Sequence, residues 1–450
     1  MLDSVCLFSM LYLTIPTSLI EAVPMNRGFQ FSSNVPIWLA LFLVGGFVVS
    51  IASAENWPRY RGADGVGVSS QTGIPVEWSE GDYAWVASLP GEGHSSPAIW
   101  NRHLFVTTAT DAGQVRYLYC LDSITGEVKW SRAAGYNSNR KHLKNSFASS
   151  TPATDGEQVY VAFADQERFA LAAYDFNGQL TWRTWLGPFV SQHGQGASPL
   201  VFEDLVIIAN DQDGPSSVVA CDRRTGRVVW SSMRDAREAS YATPLLIEAK
   251  NQKPQLVCLS GATGLTSLDP WTGQVNWTSG ELPQRTVSSP AFAQGLIYAT
   301  CGQGGKGTRL IGVDPSGKGD VSETHIKIRR DKELPYVPAI IGFGELLFLW
   351  NDNGVVTCLD PKTSQTVWQE RIGGNFSGSP VCINGKLYCI EESGKVVVIE
   401  AGPTFKLLGQ NPLGDPSYST PAVANDRLYL RSFHKLSCLN AKQVKPAGSE

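Results

Sequence analysis

One short motif recurs eight times along most of the chain, and this repeat constrains the fold more than any other feature. A small residue, usually Ser or Thr, is followed by proline and apolar residues at intervals of 41 to 55 residues. We call these dipeptides the anchors; they are Ser96-Pro97, Thr151-Pro152, Ser198-Pro199, Thr243-Pro244, Ser289-Pro290, Val337-Pro338, Ser379-Pro380 and Thr420-Pro421. Internal repeats with periods of roughly 20 to 50 residues are typical of solenoids and propellers.

Each repeat unit contains the pattern of four short strands. Behind each anchor come an apolar run, a polar hairpin tip and a second apolar run. In most units an Asp, a Thr-Gly or Asn-Gly turn and a Trp then follow, as in CDRRTGRVVW from Cys221 to Trp230. Asp bonds backbone amides nearby and glycine accepts positive φ, so this segment predicts a hairpin turn. The sequence therefore predicts an all-β fold, an eight-bladed β-propeller of four-stranded blades.

Tryptophan recurs at one position of the repeat. It ends the turn segment in five units, at Trp130, Trp182, Trp230, Trp277 and Trp368. Such residues either stack on a planar ligand or dock one blade against the next. We interpret them as structural repeat residues, because the same position is filled in different blades.

The last unit, Tyr418 to Asn440, has room for only three strands. We predict that Tyr83 to Leu89 supplies the fourth strand and closes the ring, since its Trp85 matches the repeat tryptophan. A closed ring leaves only short, protected strand edges. The predicted organisation is an N-terminal extension and signal peptide at 1–54, a lead-in at 55–82, the propeller at 83–440 and a tail at 441–450.

The N-terminal extension has the pattern of an export segment. The apolar, uncharged run from Val35 to Ile51 is preceded by Arg27 and followed by Ala52-Ser53-Ala54, which is typical of a cleaved signal peptide. We therefore expect an exported protein of the periplasm or cell envelope, with Met25 rather than Met1 as the start. The alternative is an uncleaved membrane anchor, because the 17 residues of the run are at the lower limit for spanning a bilayer.

The charge balance argues against one class of partner. Lys and Arg number 37 and Asp and Glu 41, which gives a net charge of -4. Nucleic-acid-binding domains carry a basic patch or stripe, so we expect no nucleic acid partner. Membrane contact is expected only through an uncleaved N-terminal segment, and the protein is expected to be a monomer.

Eight cysteines follow the export segment, an even number that invites a disulfide framework in an exported chain. Four of them occupy equivalent positions in different blades, at Cys120, Cys221, Cys358 and Cys438. Equivalent positions lie far apart in a propeller, so we interpret these residues as small buried hydrophobes. Only Cys382 and Cys389 are close enough in sequence to leave a disulfide open.

The Asp-x-x-Thr-Gly-x-x-x-Trp unit, with its Ser-Pro anchors, resembles the pyrroloquinoline-quinone-like (PQQ-like) β-propeller repeat of the quinoprotein alcohol dehydrogenase-like superfamily. The likeness covers about residues 55 to 440. Segments such as NWPRYRGADG (Asn56 to Gly65) and LPYVPA (Leu334 to Ala339) are similar to secreted members from planctomycete-type bacteria. Quinoprotein alcohol dehydrogenases and the propeller lipoprotein of the outer-membrane barrel-assembly machinery share the repeat.

The chain departs from the specialised members of this superfamily. It has no adjacent Cys-Cys pair, no Cys-x-x-Cys-His haem motif, and no cysteine directly after the apolar run. We therefore expect a binding or interaction scaffold for a protein or small-molecule ligand, without catalytic residues, metal site or cofactor. One alternative is a PQQ-dependent alcohol or polyvinyl-alcohol dehydrogenase-like enzyme, which would take PQQ with calcium. Another is an envelope assembly factor.

The family likeness implies where a ligand would sit, on the face with the blade-to-blade loops and the hairpins between second and third strands. Residues just ahead of the anchors on this face are His94, Phe147, His193, Gln195, Tyr241, Tyr336, Phe376 and Tyr418. Hairpin tips add Asp111, Asp165, Asp211, Asp213, Asn351 and Asp352. These acidic groups either ring the channel mouth or serve their own turns.

The longest blade connection, Ala134 to Ser149, carries Arg140, Lys141, His142 and Lys144. This loop either holds an anionic partner or is a solvated surface.

Overall fold

Short β-strands form almost all of the regular structure. The computed structural model describes residues 55–248 and 253–442, which form eight sheets built around four antiparallel strands each. Second and third strands are buried along nearly their whole length, as in Leu205–Asn210, because neighbouring blades cover both faces of each sheet. The fourth strands alternate between half-buried and exposed residues, as in Val128–Gly135. The predicted eight-bladed β-propeller is confirmed.

In blades 1 to 7 the strands follow the chain from the channel outward, whereas the outermost strand of blade 8 comes from the N-terminal side. Blade 1 has Ala98–Trp100, His103–Thr110, Val115–Asp122 and Val128–Gly135; blade 2 has Ala153–Thr154, Gln158–Ala164, Phe169–Asp175 and Leu180–Trp185; blade 3 has Leu200–Phe202, Leu205–Asn210, Ser216–Asp222 and Val228–Arg234; blade 4 has Leu245–Ile247, Gln255–Ser260, Gly264–Leu268 and Val275–Thr278. Blade 5 has Ala291–Ala293, Leu296–Gln303, Lys306–Val313 and Ile326–Arg330; blade 6 has Ile341–Phe343, Leu346–Trp350, Val355–Leu359 and Thr366–Arg371; blade 7 has Val381–Ile383, Lys386–Glu391, Lys395–Glu400 and Leu407–Pro412; blade 8 has Ala422–Ala424, Arg427–Arg431, Lys435–Asn440 and Trp85–Ser88. Strand Val68–Ser69 extends blade 7, strand Gly319–Asp320 extends blade 4, and the 3-10 helices are Glu80–Asp82 and Asp111–Gly113.

The repeat tryptophans connect neighbouring blades. Trp182, from the fourth strand of blade 2, covers Gly226 in the turn of blade 3 and donates its Nε1–H to the carbonyl of Arg223 at 2.9 Å. Trp85, Trp130 and Trp230 make the same contact: they cover Gly126, Gly178 and Gly273 and donate to the carbonyls of Ser123, Phe176 and Pro270. Trp368 donates to the carbonyl of Gly402 and packs on Phe405 instead of a glycine. Trp277 differs, because it donates to Gln255 Oε1 within its own blade at 3.0 Å.

A strand from the N-terminal side closes the ring, as the sequence predicts. Trp85–Ser88 pairs antiparallel with the third strand of blade 8, with Trp85 opposite Cys438 and Ser88 opposite Lys435. Closure is therefore a contact between residues about 350 positions apart, and it removes the exposed edge that blade 8 would otherwise present.

The first part of the lead-in occupies the central channel. Trp57 pairs with Ile99 of the innermost strand of blade 1, and Val68–Ser69 pairs in parallel with the innermost strand of blade 7. Because the free edges of the innermost strands face the channel, these pairings place the lead-in inside it. Two further hydrogen bonds hold the lead-in: the backbone N–H groups of Asn425 and Lys442 donate to the carbonyls of Glu55 and Gly73. The lead-in thus fills the end of the channel opposite the anchors.

The eight cysteines of the described residues are all buried free thiols, including Cys382 and Cys389, which the sequence left open as a pair. The apolar run from Val35 to Ile51 lies outside the described residues. In residues 55–248 and 253–442, no helix is long and apolar enough to cross a membrane.

Candidate functional site

All eight anchors meet at one cavity of about 840 Å³. The blade-to-blade loops form its walls, and Tyr60 of the lead-in reaches its floor, where its hydroxyl lies 2.9 Å from Ser379 Oγ. Ligand cavities in proteins typically measure roughly 300 to 1,000 Å³. The anchor end of the channel is thus a pocket of small-molecule size, closed on one side by the lead-in.

The floor is a ring of hydrogen bonds between successive anchors. In six of the eight anchors the backbone N–H donates to the hydroxyl of the next anchor, over distances of 2.9 to 3.2 Å. The ring runs through Ser96, Thr151, Ser198, Thr243 and Ser289, and through Ser379, Thr420 and back to Ser96. Val337 has no hydroxyl and interrupts it. The Ser or Thr of each anchor is therefore an inter-blade contact.

One part of the cavity wall carries arginine and histidine side chains. Arg285, from the connection of blades 4 and 5, contacts a ring nitrogen of His193 and pairs with Glu238. The ring of His142 packs on His193 with 5.1 Å between centroids. Burial, followed by the charge of Arg285, lowers the pKa of His193, so its imidazole is neutral at pH 7. Four separate blade-to-blade connections meet at this part of the wall.

The neighbouring part of the wall, between blades 5 and 6, contains a buried carboxyl group. Asp352 accepts the backbone N–H of Tyr336 at 2.7 Å and that of Val337 at 3.3 Å. Burial raises the pKa of Asp352 to about 6, although both backbone hydrogen bonds act in the other direction. The Tyr336 hydroxyl also has a pKa raised to about 12, chiefly by burial. Asp352 thus titrates close to neutral pH.

His94, in the connection from the closing strand to blade 1, lies in an aromatic cluster. Its ring packs 4.8 Å from Phe433 and 4.9 Å from Tyr418 between centroids, and its Nε2 is 3.1 Å from the carboxylate of Glu92. Burial lowers the pKa of His94, while Glu92 opposes that shift. His94 is therefore a neutral, packed side chain with one polar partner.

A basic loop extends from the junction of blades 1 and 2 to blade 7. The connection Ala134 to Ser149 is held beside blade 2 by the hydrogen bond from His142 N to the His193 carbonyl. Its Lys144 Nζ lies 2.6 Å from Glu392 Oε1, in the second hairpin of blade 7. We call this connection the strap. His142 and Lys144 are the strap residues of the basic set that line the cavity.

The structure brings half of the proposed mouth residues together. The cavity is lined by His94, His193, Tyr241, Tyr336, Asp352 and Tyr418. It is not lined by Phe147, Gln195, Asp211, Asp213, Asn351 or Phe376, nor by the hairpin residues Asp111 and Asp165.

Packing explains why the remaining residues point elsewhere. Phe376 is fully buried against Trp350, and Asp211 pairs with Arg234, 3.3 Å away, in the protein interior. The carboxylate of Asp213 accepts two backbone N–H groups, from Gln192 at 2.9 Å and Ala239 at 2.8 Å. These acidic groups support local structure, which is the alternative that turn chemistry indicates.

Sequence reasoning missed several lining residues. Tyr60, Glu238 and Arg285 lie in the cavity wall or floor, but none stands directly ahead of an anchor or at a hairpin tip. Arg285 is four residues before its anchor, and a search extended over whole connections would have included it. Tyr60 had no such signal, because only the path of the lead-in places it there.

A family model described as "Outer membrane protein assembly factor BamB" matches residues 60–167, 118–370 and 352–444. The chain belongs to this family. The resemblance to PQQ-like β-propeller repeat proteins is thereby confirmed.

Solved structures show the same fold. BamB from Moraxella catarrhalis is similar with a TM-score of 0.56 and 14% identity, over 80% of this chain and 99% of that chain. A europium-containing methanol dehydrogenase is similar with a TM-score of 0.52 and 14% identity, over 84% of this chain and 90% of that chain. At such low identity these likenesses show the fold alone.

A curated relative is an enzyme. The tetrathionate hydrolase of Acidithiobacillus ferrooxidans is 24% identical over 315 residues, which are 67% of this chain and 58% of that protein. The match thus spans less than two thirds of the relative's own length.

The cavity residues do not fit PQQ with calcium. Among the described residues, no group of three or more His, Cys, Asp or Glu side chains lies close enough to hold a metal ion. The two carboxylates that line the cavity are engaged by protein groups, Glu238 by Arg285 and Asp352 by two backbone amides. Calcium requires six to eight oxygen ligands, which this set does not supply.

Proposed function

We propose that the protein is a binding scaffold of the cell envelope that holds a ligand or partner at the anchor-end cavity. The observation that carries this proposal is the cavity itself, about 840 Å³ in volume and lined by all eight anchors. Loops from several blade junctions converge on it, and the lead-in closes the channel behind it. Membership of the assembly-factor family supports a scaffold role, since propellers use such faces for binding.

Export is part of the same proposal. Residues 1–54 carry the signal-peptide pattern, and propellers of this type are typically envelope proteins. We infer that the mature protein begins near Glu55, which directly follows Ala52-Ser53-Ala54 and whose carbonyl accepts the backbone N–H of Asn425. N-terminal sequencing of the protein secreted by its native host tests this, and a mature chain that retains Val35 to Ile51 would support an anchor instead.

Site-specific photo-crosslinking in the native host tests the scaffold role. Leu143 in the strap is 92% exposed, so a benzophenone amino acid there presents a probe beside the cavity without disturbing the core. Thr125 is exposed in a turn at the other end of blade 1 and serves as the matched control. We expect a discrete crosslinked product from position 143 alone. Identical products from both positions, or none from position 143, would contradict the proposal.

Two activity assays cover the enzymatic alternatives. The full chain is incubated with PQQ, calcium and an alcohol, and separately with tetrathionate. Dye reduction in the first assay or thiosulfate release in the second, abolished by substitutions in the cavity wall such as Arg285→Gln, would replace the scaffold with an enzyme.

A further inference from the structure

The hydroxyl groups of the cavity floor retain unused hydrogens. Each hydroxyl of the ring accepts one backbone N–H, yet a hydroxyl also carries one hydrogen of its own to donate. In residues 55–248 and 253–442, no hydrogen bond uses that hydrogen at six positions: Ser96, Thr151, Ser198, Thr243, Ser289 and Thr420. All six residues line the cavity. The floor is thus a ring of six O–H donors from six blades.

A buried cation lies beneath this ring. Arg61 is fully buried, and its Nη2 donates to the carbonyls of Val66 at 2.8 Å and Ile340 at 2.9 Å. Ile340 lies three residues beyond the interrupting anchor Val337, and Arg61 directly follows Tyr60 of the floor, so the guanidinium lies on the lead-in side of the ring. Its Nε and Nη1 have no hydrogen-bond partner in the part of the chain that the structure describes.

The charge of Arg61 is poorly compensated. The groups that favour its charged form are Tyr60 and Asp64, and the carboxylate of Asp64 is exposed to solvent. Arginine stays protonated in proteins, and a buried charge without a counter-ion is costly. Burial accordingly lowers the pKa of Arg61. A negative group above the floor would offset this cost.

We propose that the anchor ring binds an oxyanion group, such as a carboxylate, phosphate or sulfate, through its O–H donors and the positive charge of Arg61. The inference rests on the proposed function, because it assigns the chemistry of the ligand that the cavity holds. The cavity is far larger than an inorganic ion, so the ligand is an organic molecule with its anionic end on the floor. Arg285 and Lys144 in the walls face the remainder of such a ligand.

The competing occupant of the ring is a small cation. Each hydroxyl oxygen keeps a second lone pair, and a ring of uncharged oxygens is also a set of ligands for a sodium ion. Arg61 decides between the two, because its positive charge repels a cation and attracts an anion. An anion site would bind added sulfate or phosphate, whereas a cation site would respond to sodium ions alone.

Isothermal titration of the full chain with sodium sulfate and with sodium phosphate, at constant ionic strength, tests the proposal. We expect saturable binding of at least one anion. Thr243→Val removes one O–H donor and should weaken binding about tenfold, the effect of one hydrogen bond to a charged group. Ser231→Ala, an exposed hydroxyl on the fourth strand of blade 3, is the matched control and should leave the affinity unchanged.

Two further variants keep the test decisive. Arg61→Gln should abolish anion binding; if that variant does not fold, Val337→Thr, which adds a seventh free O–H donor to the ring, should tighten binding instead. Binding of neither anion below about 10 mM, equal affinity in Thr243→Val, or stabilisation by sodium ions alone would overturn the proposal. Failure here with a specific crosslink at position 143 would leave the scaffold role standing and remove only the oxyanion.

Discussion

The indole of Trp182 lies over Gly226 of the next blade, and its Nε1–H bonds the carbonyl of Arg223 in the same turn. One turn therefore serves two purposes: its glycine permits the positive φ of +73° and also provides a flat surface without a Cβ for the ring. This contact gives the Thr-Gly and Trp parts of the repeat a common physical cause.

Gly226→Ala should destabilise the propeller by more than its backbone angle alone explains. A Cβ there would lie 2.5 Å from the ring of Trp182, so the tryptophan must move as well. Gly295 has a similar φ of +78° and open space around a Cβ, so Gly295→Ala carries only the conformational cost of about 1 kcal/mol. Urea denaturation should show Gly226→Ala losing about 1 to 3 kcal/mol beyond the Gly295 variant. Equal losses would mean that the ring contact contributes nothing.

Ring closure should depend on the packed side chain of Trp85, and an exposed tryptophan elsewhere in the propeller should matter much less. Trp85 is half-buried, covers Gly126 and donates to the Ser123 carbonyl at 3.3 Å. Trp85→Ala should lower the free energy of unfolding by about 2 to 4 kcal/mol, slightly less than the roughly 3 to 5 kcal/mol of a fully buried aromatic side chain, because Trp85 is half-buried. Trp185 is 51% exposed on the fourth strand of blade 2, so Trp185→Ala is the control and should cost less than about 1 kcal/mol. If Trp185→Ala lost more free energy of unfolding than Trp85→Ala, the closure contact would not be what makes Trp85 important for stability.

The fold could be predicted from sequence because its signals are local. The turn from Asp222 to Gly226 is specified by residues within five positions, and it recurs often enough to count blades. The closing strand was predicted because an incomplete blade and a spare strand with Trp85 were both visible in the chain.

The channel filling and half of the site could not be predicted, because they depend on distant pairings and on side-chain direction. Val68–Ser69 joins blade 7 through residues more than 300 positions away, and no local pattern marks that partner. Phe376 and Tyr418 both precede anchors, yet the first packs under Trp350 and the second lines the cavity. Which way such a residue turns is decided by the connection that it ends.

Asp352 should make stability depend on pH in an unusual direction. Its pKa is about 6 in the folded protein, above the value near 4 of an unfolded chain. Between pH 4 and 6 the folded state binds more protons, so the contribution of Asp352 to stability increases as the pH falls and is lost as the pH rises through 6. Relative to Asp352→Asn, the wild type should gain about 2 kcal/mol in free energy of unfolding from pH 7 to pH 4.

Asp360 provides the control for this titration. Backbone hydrogen bonds in its turn, chiefly from Lys362, lower its pKa, so the wild type should lose stability relative to Asp360→Asn as the pH falls through its low folded pKa. Urea denaturation at several pH values measures both differences. Parallel curves for the two variants would show that burial does not perturb Asp352.

The strap should be held across the cavity mouth by one ion pair. Lys144 and Glu392 lie 2.6 Å apart although 248 positions separate them, and Lys144 is 46% exposed. Partly exposed pairs contribute little to global stability, typically about 0 to 1 kcal/mol, so Glu392→Gln should leave the urea midpoint almost unchanged. Glu392→Gln should instead release the strap, whose Arg140, Lys141 and Lys144 are trypsin sites. Trypsin cleavage in this loop should therefore increase several-fold. Glu345→Gln breaks the exposed pair with Lys362 elsewhere on the surface and should leave strap cleavage unchanged. Added salt should raise cleavage of the wild type toward the rate of Glu392→Gln, because screening weakens the same pair; a strap cleaved equally in both variants would not be held by Glu392.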